Sequence, residues 1–166
     1  LPNTIMARRH FRLQRKQKEA ELRKQELERL GNLNSLKKMT PIDFEYYISD
    51  LFHQMGFDAH VTKATGDGGK DILIYKKDFH AIIECKRYVK QKVTRPHVQK
   101  FYSAIIDCKA DKGYIITTGE FTAQAISYAI GKSIVLIDGR RLIRIIEDIT
   151  QGAEQGAHAD MILRLT

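Results

Sequence analysis

Two short apolar runs, "DILIYK" (71–76) and "HAIIECKRY" (80–88), stand so close together that the chain between them, around "KKDF", must double back. Strands joined by so few residues pair antiparallel, since a parallel return needs a crossover of a dozen residues or more. Side chains alternate along a strand, so Glu84 and Lys86 share one face while Ile83, Cys85 and Arg87 share the other. Twelve residues separate Asp71 from Glu84, and pairing the two runs sets those carboxylates side by side with Lys86 next to them. Two carboxylates so placed repel unless a cation lies between them, and hard oxygen ligands with open water positions suit Mg²⁺. Such an ion can polarise a phosphodiester and lower the pKa of an attacking water. Lys86 is then available to orient or deprotonate that water, or to neutralise charge building on phosphorus.

The glycines of "GDGGKD" (66–71) raise another possibility, a phosphate-cradling loop. Such loops follow a strand and open a helix, whose N-terminus supplies the amide donors. Here they precede a strand, and the stretch fits neither GxGxxG nor GxxxxGK[ST]. The reading that remains is a tight turn delivering Asp71 to the mouth of its strand. Asp71 alone could be a turn residue bonding its own backbone; its phase with Glu84 and Lys86 argues otherwise.

The surrounding pattern predicts an α/β fold. "TPIDFEYYISDLFHQMG" carries a helix start, with Thr40 as N-cap, Pro41 in the first turn and Gly56 as the stop, and an apolar face that includes Ile42, Phe44, Tyr46, Ile48, Leu51, Phe52 and Met55. Three strands follow, "DAHVTKA" and the two runs above, as a meander. Then come a helix at "VTRPHVQKFYSAIIDCKA", a strand at "KGYIITT", a helix at "TAQAISYAIG", a strand at "SIVLI" and a last helix at "GRRLIRIIED". The order α-β-β-β-α-β-α-β-α implies a mixed five-stranded sheet with helices on both faces. Thr117, Thr118 and Thr122 read as a strand end and an N-cap.

Charge divides the chain unevenly. Residues 1–39 hold eleven Lys/Arg against four Glu, a net +7 of the total +8, and residues 40–166 are nearly balanced. The first stretch, Ile5 to Leu30, lacks Gly and Pro and predicts one long basic helix. Met6, Leu13, Ala20 and Leu27 recur every seven residues, but without a complete second apolar row a coiled coil is only weakly signalled. Such a helix suits a polyanion, either nucleic acid or an anionic membrane face, and equally a solvated surface. "GNLNSLKKM" reads as a break, giving a basic extension and linker at 1–38, a catalytic domain at 39–150 and a tail at 151–166.

No apolar run approaches the roughly 20 residues of a membrane helix, so the chain reads as soluble. It opens Leu-Pro rather than with Met, which leaves room for an upstream targeting or membrane segment. Cys85 and Cys108 stand far apart, with no CxxC, which favours a reducing, cytoplasmic compartment over a disulfide framework or structural zinc. Cys85 points away from the carboxylates by alternation and reads as a small buried residue, and His53, His60, His80 and His97 read as surface or packing residues.

"GDGGKDILIY…AIIECKRY" resembles the signature of the PD-(D/E)XK nucleases, and more closely that of the Mrr-like restriction endonuclease family. "MTPIDFEYYISDLFHQMGF", "VQKFYSAI", "IITTGEFTAQAISYA" and "IVLIDGRRLIRII" are similar to further segments of that family in the same order, covering residues 39 to about 146. The resemblance implies a restriction-endonuclease-like core and a Mg²⁺-dependent DNA endonuclease, with Mn²⁺ as a substitute, acting in defence against foreign, including modified, DNA. By position, Asp71 and Glu84 look like the metal ligands and Lys86 like the catalytic lysine. Gln99 looks like a helix glutamine lining such sites, and Glu45 like a first-helix acid reaching the metal or its waters. Each has a plainer reading as a surface residue.

Lys70, Arg87, Lys90, Lys92, Arg95 and Lys100 flank the motif and would neutralise double-stranded DNA phosphates without reading bases. A homodimer would pair two sites with two strands. Three alternatives stay open: a junction-resolving or repair nuclease, a DNA-binding module with a retired site, and a nuclease placed at a membrane or in a larger assembly by its basic helix.

Overall fold

The computed structural model describes residues 3–63 and 69–152. The long first helix α1 (Asn3–Leu30) breaks at Gly31 and Asn32, and a short helix α2 (Leu33–Lys38) follows, capped by the Asn32 side chain. Next comes α3 (Pro41–Gln54), whose N-cap Thr40 accepts from the Asp43 amide. The meander is β1 (Asp58–Val61), β2 (Ile72–Lys76) and β3 (Phe79–Lys86). A two-residue strand β4 (Lys92–Val93) leads into α4 (Arg95–Asp107), then β5 (Lys112–Thr117), a second short strand β6 (Glu120–Phe121), α5 (Ala123–Ala129), β7 (Ile134–Ile137) and α6 (Gly139–Gln151).

The five-stranded sheet has the order β1-β2-β3-β5-β7, antiparallel through the meander and parallel from β3 to β7. The expected mixed sheet with helices on both faces is what forms. One face packs α3 and α6 over Ile72, Ile74, Ile83, Tyr114 and Ile116. The other packs α4 and α5 over Ile82 and Ile115. The β4–β6 pair is an addition, tying the loop after β3 to the loop after β5.

Helix periodicity places the faces with two differences. Ile42 and Tyr46 of α3 are exposed, and Tyr47 takes the buried position, its hydroxyl donating to the Leu27 carbonyl of α1 at 2.7 Å. The segment that reads as a break also contributes to the core: Leu27 and Leu36 are buried among α3 and α6 residues, and a Cβ on Gly31 would meet Ile146 at 2.6 Å. The basic helix is thus seated on the core at its C-terminal end. Close packing recurs between α4 and β5, where a Cβ on Gly113 would collide with Ile105 and Phe101.

At the β7 edge the Arg141 guanidinium donates to the Leu136 carbonyl at 2.9 Å. Among the described residues no helix is long and apolar enough to cross a membrane.

Replacing Leu36 with Ala removes a fully buried side chain, and its expected cost is about 2–5 kcal/mol. Leu13→Ala, on a half-exposed residue of α1, should cost less than about 0.5 kcal/mol. Denaturant melts of the two variants check this, and equal stabilities would mean that α2 is not part of the folding unit.

Candidate active site

The register of the meander builds the site. Ile72 pairs with Ile83, so Asp71, one residue before β2, stands opposite Glu84. The backbone locks that position: the Asp71 amide donates to the Ile83 carbonyl at 2.9 Å, and Thr62 reaches across from the end of β1 to the Lys70 and Asp71 carbonyls. The Asp71 carboxylate in turn accepts from the Cys85 amide at 2.7 Å. Most of the glycine turn expected to deliver Asp71 lies outside the described residues, but its last glycine, Gly69, has φ +85°. A Cβ there would sit 3.2 Å from Glu84 Oε1, so this left-handed residue also leaves room for the acid.

Glu84 is buried on the α4 side of the sheet, and its Oε1 meets the Lys86 ammonium at 2.9 Å. Its Oε2 is buried without a hydrogen-bond partner among the described residues. The end of β3 is held by two threonines, Thr117 donating to the Lys86 carbonyl and Thr118 to the Tyr88 carbonyl, each at 2.7 Å. Thr122 caps α5, as its place in the sequence predicts.

Electrostatics follow from this geometry. Burial pushes Glu84 above the usual carboxylate range, against the opposing hydrogen bond and charge of Lys86. Asp71 is raised by burial as well, opposed by the Cys85 amide and by Lys86. Glu45, on α3, is raised by burial and then by the Asp71 charge, so this third acid senses Asp71. Burial alone would lower Lys86, but its hydrogen bond to Glu84 and the surrounding negative charge outweigh that and raise it. Cys85 packs against the main core, and burial with three neighbouring carboxylates drives its thiol well up, consistent with an inert residue.

Asp71, Glu84, Lys86 and Glu45 therefore come together, whereas Gln99 does not join them. It is exposed on the outer side of α4, opposite the buried Val98, Phe101 and Ile105, and its carbonyl accepts from Ser103. The α4 residues that sense the site are His97 and Lys100. The Thr94 amide donates to His97 Nδ1 at 3.1 Å, and burial followed by the charges of Lys86 and Lys100 lowers its pKa. Lys100 in turn opposes the rise of Glu84. A His three residues after a Thr at a helix start is a readable capping signal, but nothing in the sequence says which way it turns.

The flanking cations divide. Lys90 and Lys100 are exposed, Lys92 pairs with Glu120 at 3.0 Å, and Arg95 lies over the Tyr128 ring. Lys70 and Arg87 are engaged within the fold, the first donating to the Cys108 sulfur and the second to the Lys37 carbonyl. A polar cleft of about 280 Å³ beside the end of β3 is lined by Lys37, Lys90, Lys92 and Arg140. A larger groove of about 890 Å³ runs along β7 between α5 and α6, away from all three carboxylates. Side-chain chemistry, not cavity size, singles out the carboxylate pair.

Among the described residues no group of three or more His, Cys, Asp or Glu side chains is placed to hold a metal. The donor set is nonetheless suited to Mg²⁺, which takes one or two carboxylates and completes its shell with water and substrate phosphate. The unpartnered Glu84 Oε2 and the space left by Gly69 are what such an ion would use.

Comparison with known proteins agrees with this geometry. Residues 36–146 match the Mrr catalytic domain family, described as restriction endonuclease. The chain is 35% identical over 123 residues to the type IV methyl-directed restriction enzyme EcoKMrr of Escherichia coli (strain K12); the match covers 69% of this chain but 40% of that protein. Two solved structures share the fold. AspBHI, a DNA modification-dependent restriction endonuclease, superposes with a TM-score of 0.57 at 18% identity over 85% of this chain and 38% of its own. AF1548, a protein of unknown function, gives 0.51 at 15% identity over 62% and 65%. Matched over most of its length and carrying the acid pair and lysine at one sheet end, the chain belongs to the Mrr-type restriction endonuclease family.

Proposed function

We propose that this chain is a Mg²⁺-dependent DNA endonuclease acting on foreign, including modified, DNA. The observation that carries the reading is the convergence of Asp71, Glu84 and Lys86 at the mouth of β2 and β3, with one buried carboxylate oxygen unpartnered. Family membership supports the chemistry, and the names of EcoKMrr and AspBHI support the substrate class.

Asp71 and Glu84 would hold the ion, with Glu45 behind them to accept from its waters. When bound, Mg²⁺ would polarise a phosphodiester oxygen and acidify an attacking water. Lys86 is kept as an ammonium by Glu84, so its role is that of a cation: it donates to the scissile phosphate and offsets charge growing on its oxygens. His97, held neutral beside two lysines, adds a donor without adding charge. Lys90 and Lys100, both exposed, would neutralise neighbouring phosphates, and Lys92 would do so by exchanging Glu120 for one.

The test is nicking of supercoiled plasmid, methylated and unmethylated, with Mg²⁺, Mn²⁺ or EDTA. Cutting should require the metal. It should be abolished in Asp71→Ala and fall about 10²-fold or more in Lys86→Ala. Native protein that binds DNA but cuts neither plasmid would favour a binding module or a nuclease awaiting an activator.

The raised carboxyls also predict an inverse relation between activity and stability. A carboxyl with a raised folded pKa holds its proton more readily in the folded than in the unfolded chain, so stability falls as pH climbs through that folded value. Asp71→Asn should therefore melt above the native protein at neutral pH without metal. The difference should shrink as pH approaches the ordinary aspartate value of 3.8. Adding Mg²⁺ should raise the native melting temperature and leave that of Asp71→Asn unmoved. An Asn variant less stable than native at neutral pH would show that the carboxylate is a structural asset.

A further inference from the structure

Among the described residues, half of α1 has no packing partner. Every residue from Thr4 to Glu19 is exposed, whereas Ala20, Arg23, Leu27 and Leu30 are partly or wholly buried. The contacts of the seated half fix its direction. Leu27 meets Tyr47, and one turn earlier on α1 Arg23 pairs with Asp50, further along α3, so the two helices are antiparallel. Continued, the free half runs past the C-terminal end of α3, the end opposite Glu45 and the carboxylate pair. Its sixteen residues reach about 24 Å beyond the core.

This arm is strongly cationic. Residues 8–18 contain Arg8, Arg9, Arg12, Arg15, Lys16 and Lys18 and no acid. At about 100° per residue, all but Lys18 fall within an arc of about 120°. Arg15 pairs with Glu19 at 3.6 Å, and the others have no acidic partner among the described residues.

The same wheel discriminates between occupants. A second copy wound as a coiled coil would bury the row three residues after Met6, Leu13 and Ala20, which is Arg9, Lys16 and Arg23, and set like charges against one another. A membrane surface needs one apolar face. Here Met6 and Leu13 lie on the opposite side of the helix from Phe11, and no such face exists. A rod of phosphates needs only the cationic stripe, and an arm of ~24 Å spans about seven base pairs at ~3.4 Å each.

We propose that the free half of α1 is a second, sequence-independent contact for duplex DNA, gripping phosphates outside the stretch held at Asp71 and Glu84. The proposal rests on duplex DNA being the substrate. It divides affinity from chemistry: the arm sets how tightly and how far along the duplex the protein holds, while the carboxylate pair sets where the bond breaks.

The experiment uses the full chain carrying Asp71→Asn, in EDTA, with or without Arg8→Gln, Arg9→Gln, Arg12→Gln and Lys16→Gln together. These positions are exposed and Gln keeps the helix, which circular dichroism and melting temperature would verify. Binding to labelled duplexes of about 30 and about 12 base pairs is followed by anisotropy between about 50 and 200 mM salt. The arm variant should lose about tenfold or more in affinity for the longer duplex and far less for the shorter. Its slope of log K against log salt should shrink by about three to four, at ~0.9 per phosphate lost. Equal affinity and slope with and without the arm charges would overturn the proposal while leaving the nuclease reading intact. So would unchanged duplex binding accompanied by lost binding to phosphatidylserine vesicles or lost self-association in sedimentation. Arm-dependent duplex binding by a native chain that does not cut plasmid in Mg²⁺ would uphold the proposal and turn the nuclease reading towards a binding module or a nuclease awaiting an activator.

Discussion

One hydrogen bond organises the acidic end of the sheet: the Cys85 amide donating to the Asp71 carboxylate. It joins the residue before β2 to the strand that carries Glu84 and Lys86, so the acid pair is held by the sheet and not by a loop. The bond also helps keep a buried Asp71 ionisable, because an amide donor stabilises the charged form that burial disfavours. The next ring of contacts serves the same purpose. Thr62 holds the backbone at Lys70 and Asp71, and Thr117 and Thr118 hold the backbone from Lys86 to Tyr88.

The pair itself is left incompletely satisfied. Lys86 takes one oxygen of Glu84, and the other is buried with no partner among the described residues, a position that costs stability in the resting protein. Proteins tolerate such groups where a ligand completes them. Polar strain collects here, at the end of a sheet with an apolar cluster on each face.

Much of this was legible in the chain because it depends on short-range counting. Strand alternation and the closeness of the two runs place Asp71 opposite Glu84 and put Lys86 on the same side, and the structure has that register. What depends on how helices roll against the sheet was not legible. Val98, Phe101 and Ile105 turn α4 so that His97 and Lys100 meet the site and Gln99 faces outward, a rotation set by packing. Tyr46 and Tyr47 are chemically alike and adjacent, and only the Leu27 carbonyl decides which is buried. A polar stretch such as "GNLNSLKKM" conceals Leu36 because three apolar residues, Leu33, Leu36 and Met39, in so short a segment carry too little periodicity to read.

The Arg141 guanidinium on the Leu136 carbonyl bears on how copies of this protein can meet. A five-stranded sheet with an apolar margin is open to growth by edge pairing, and an unpaired carbonyl on that margin is what an incoming strand would take. Here that acceptor already holds a guanidinium from the following helix. Joining two sheets through β7 would displace this bond in both copies and bring together margins that each carry Arg140, Arg141 and Arg144. The fold thus guards this margin with charge, and growth of the sheet by edge pairing at β7 is disfavoured.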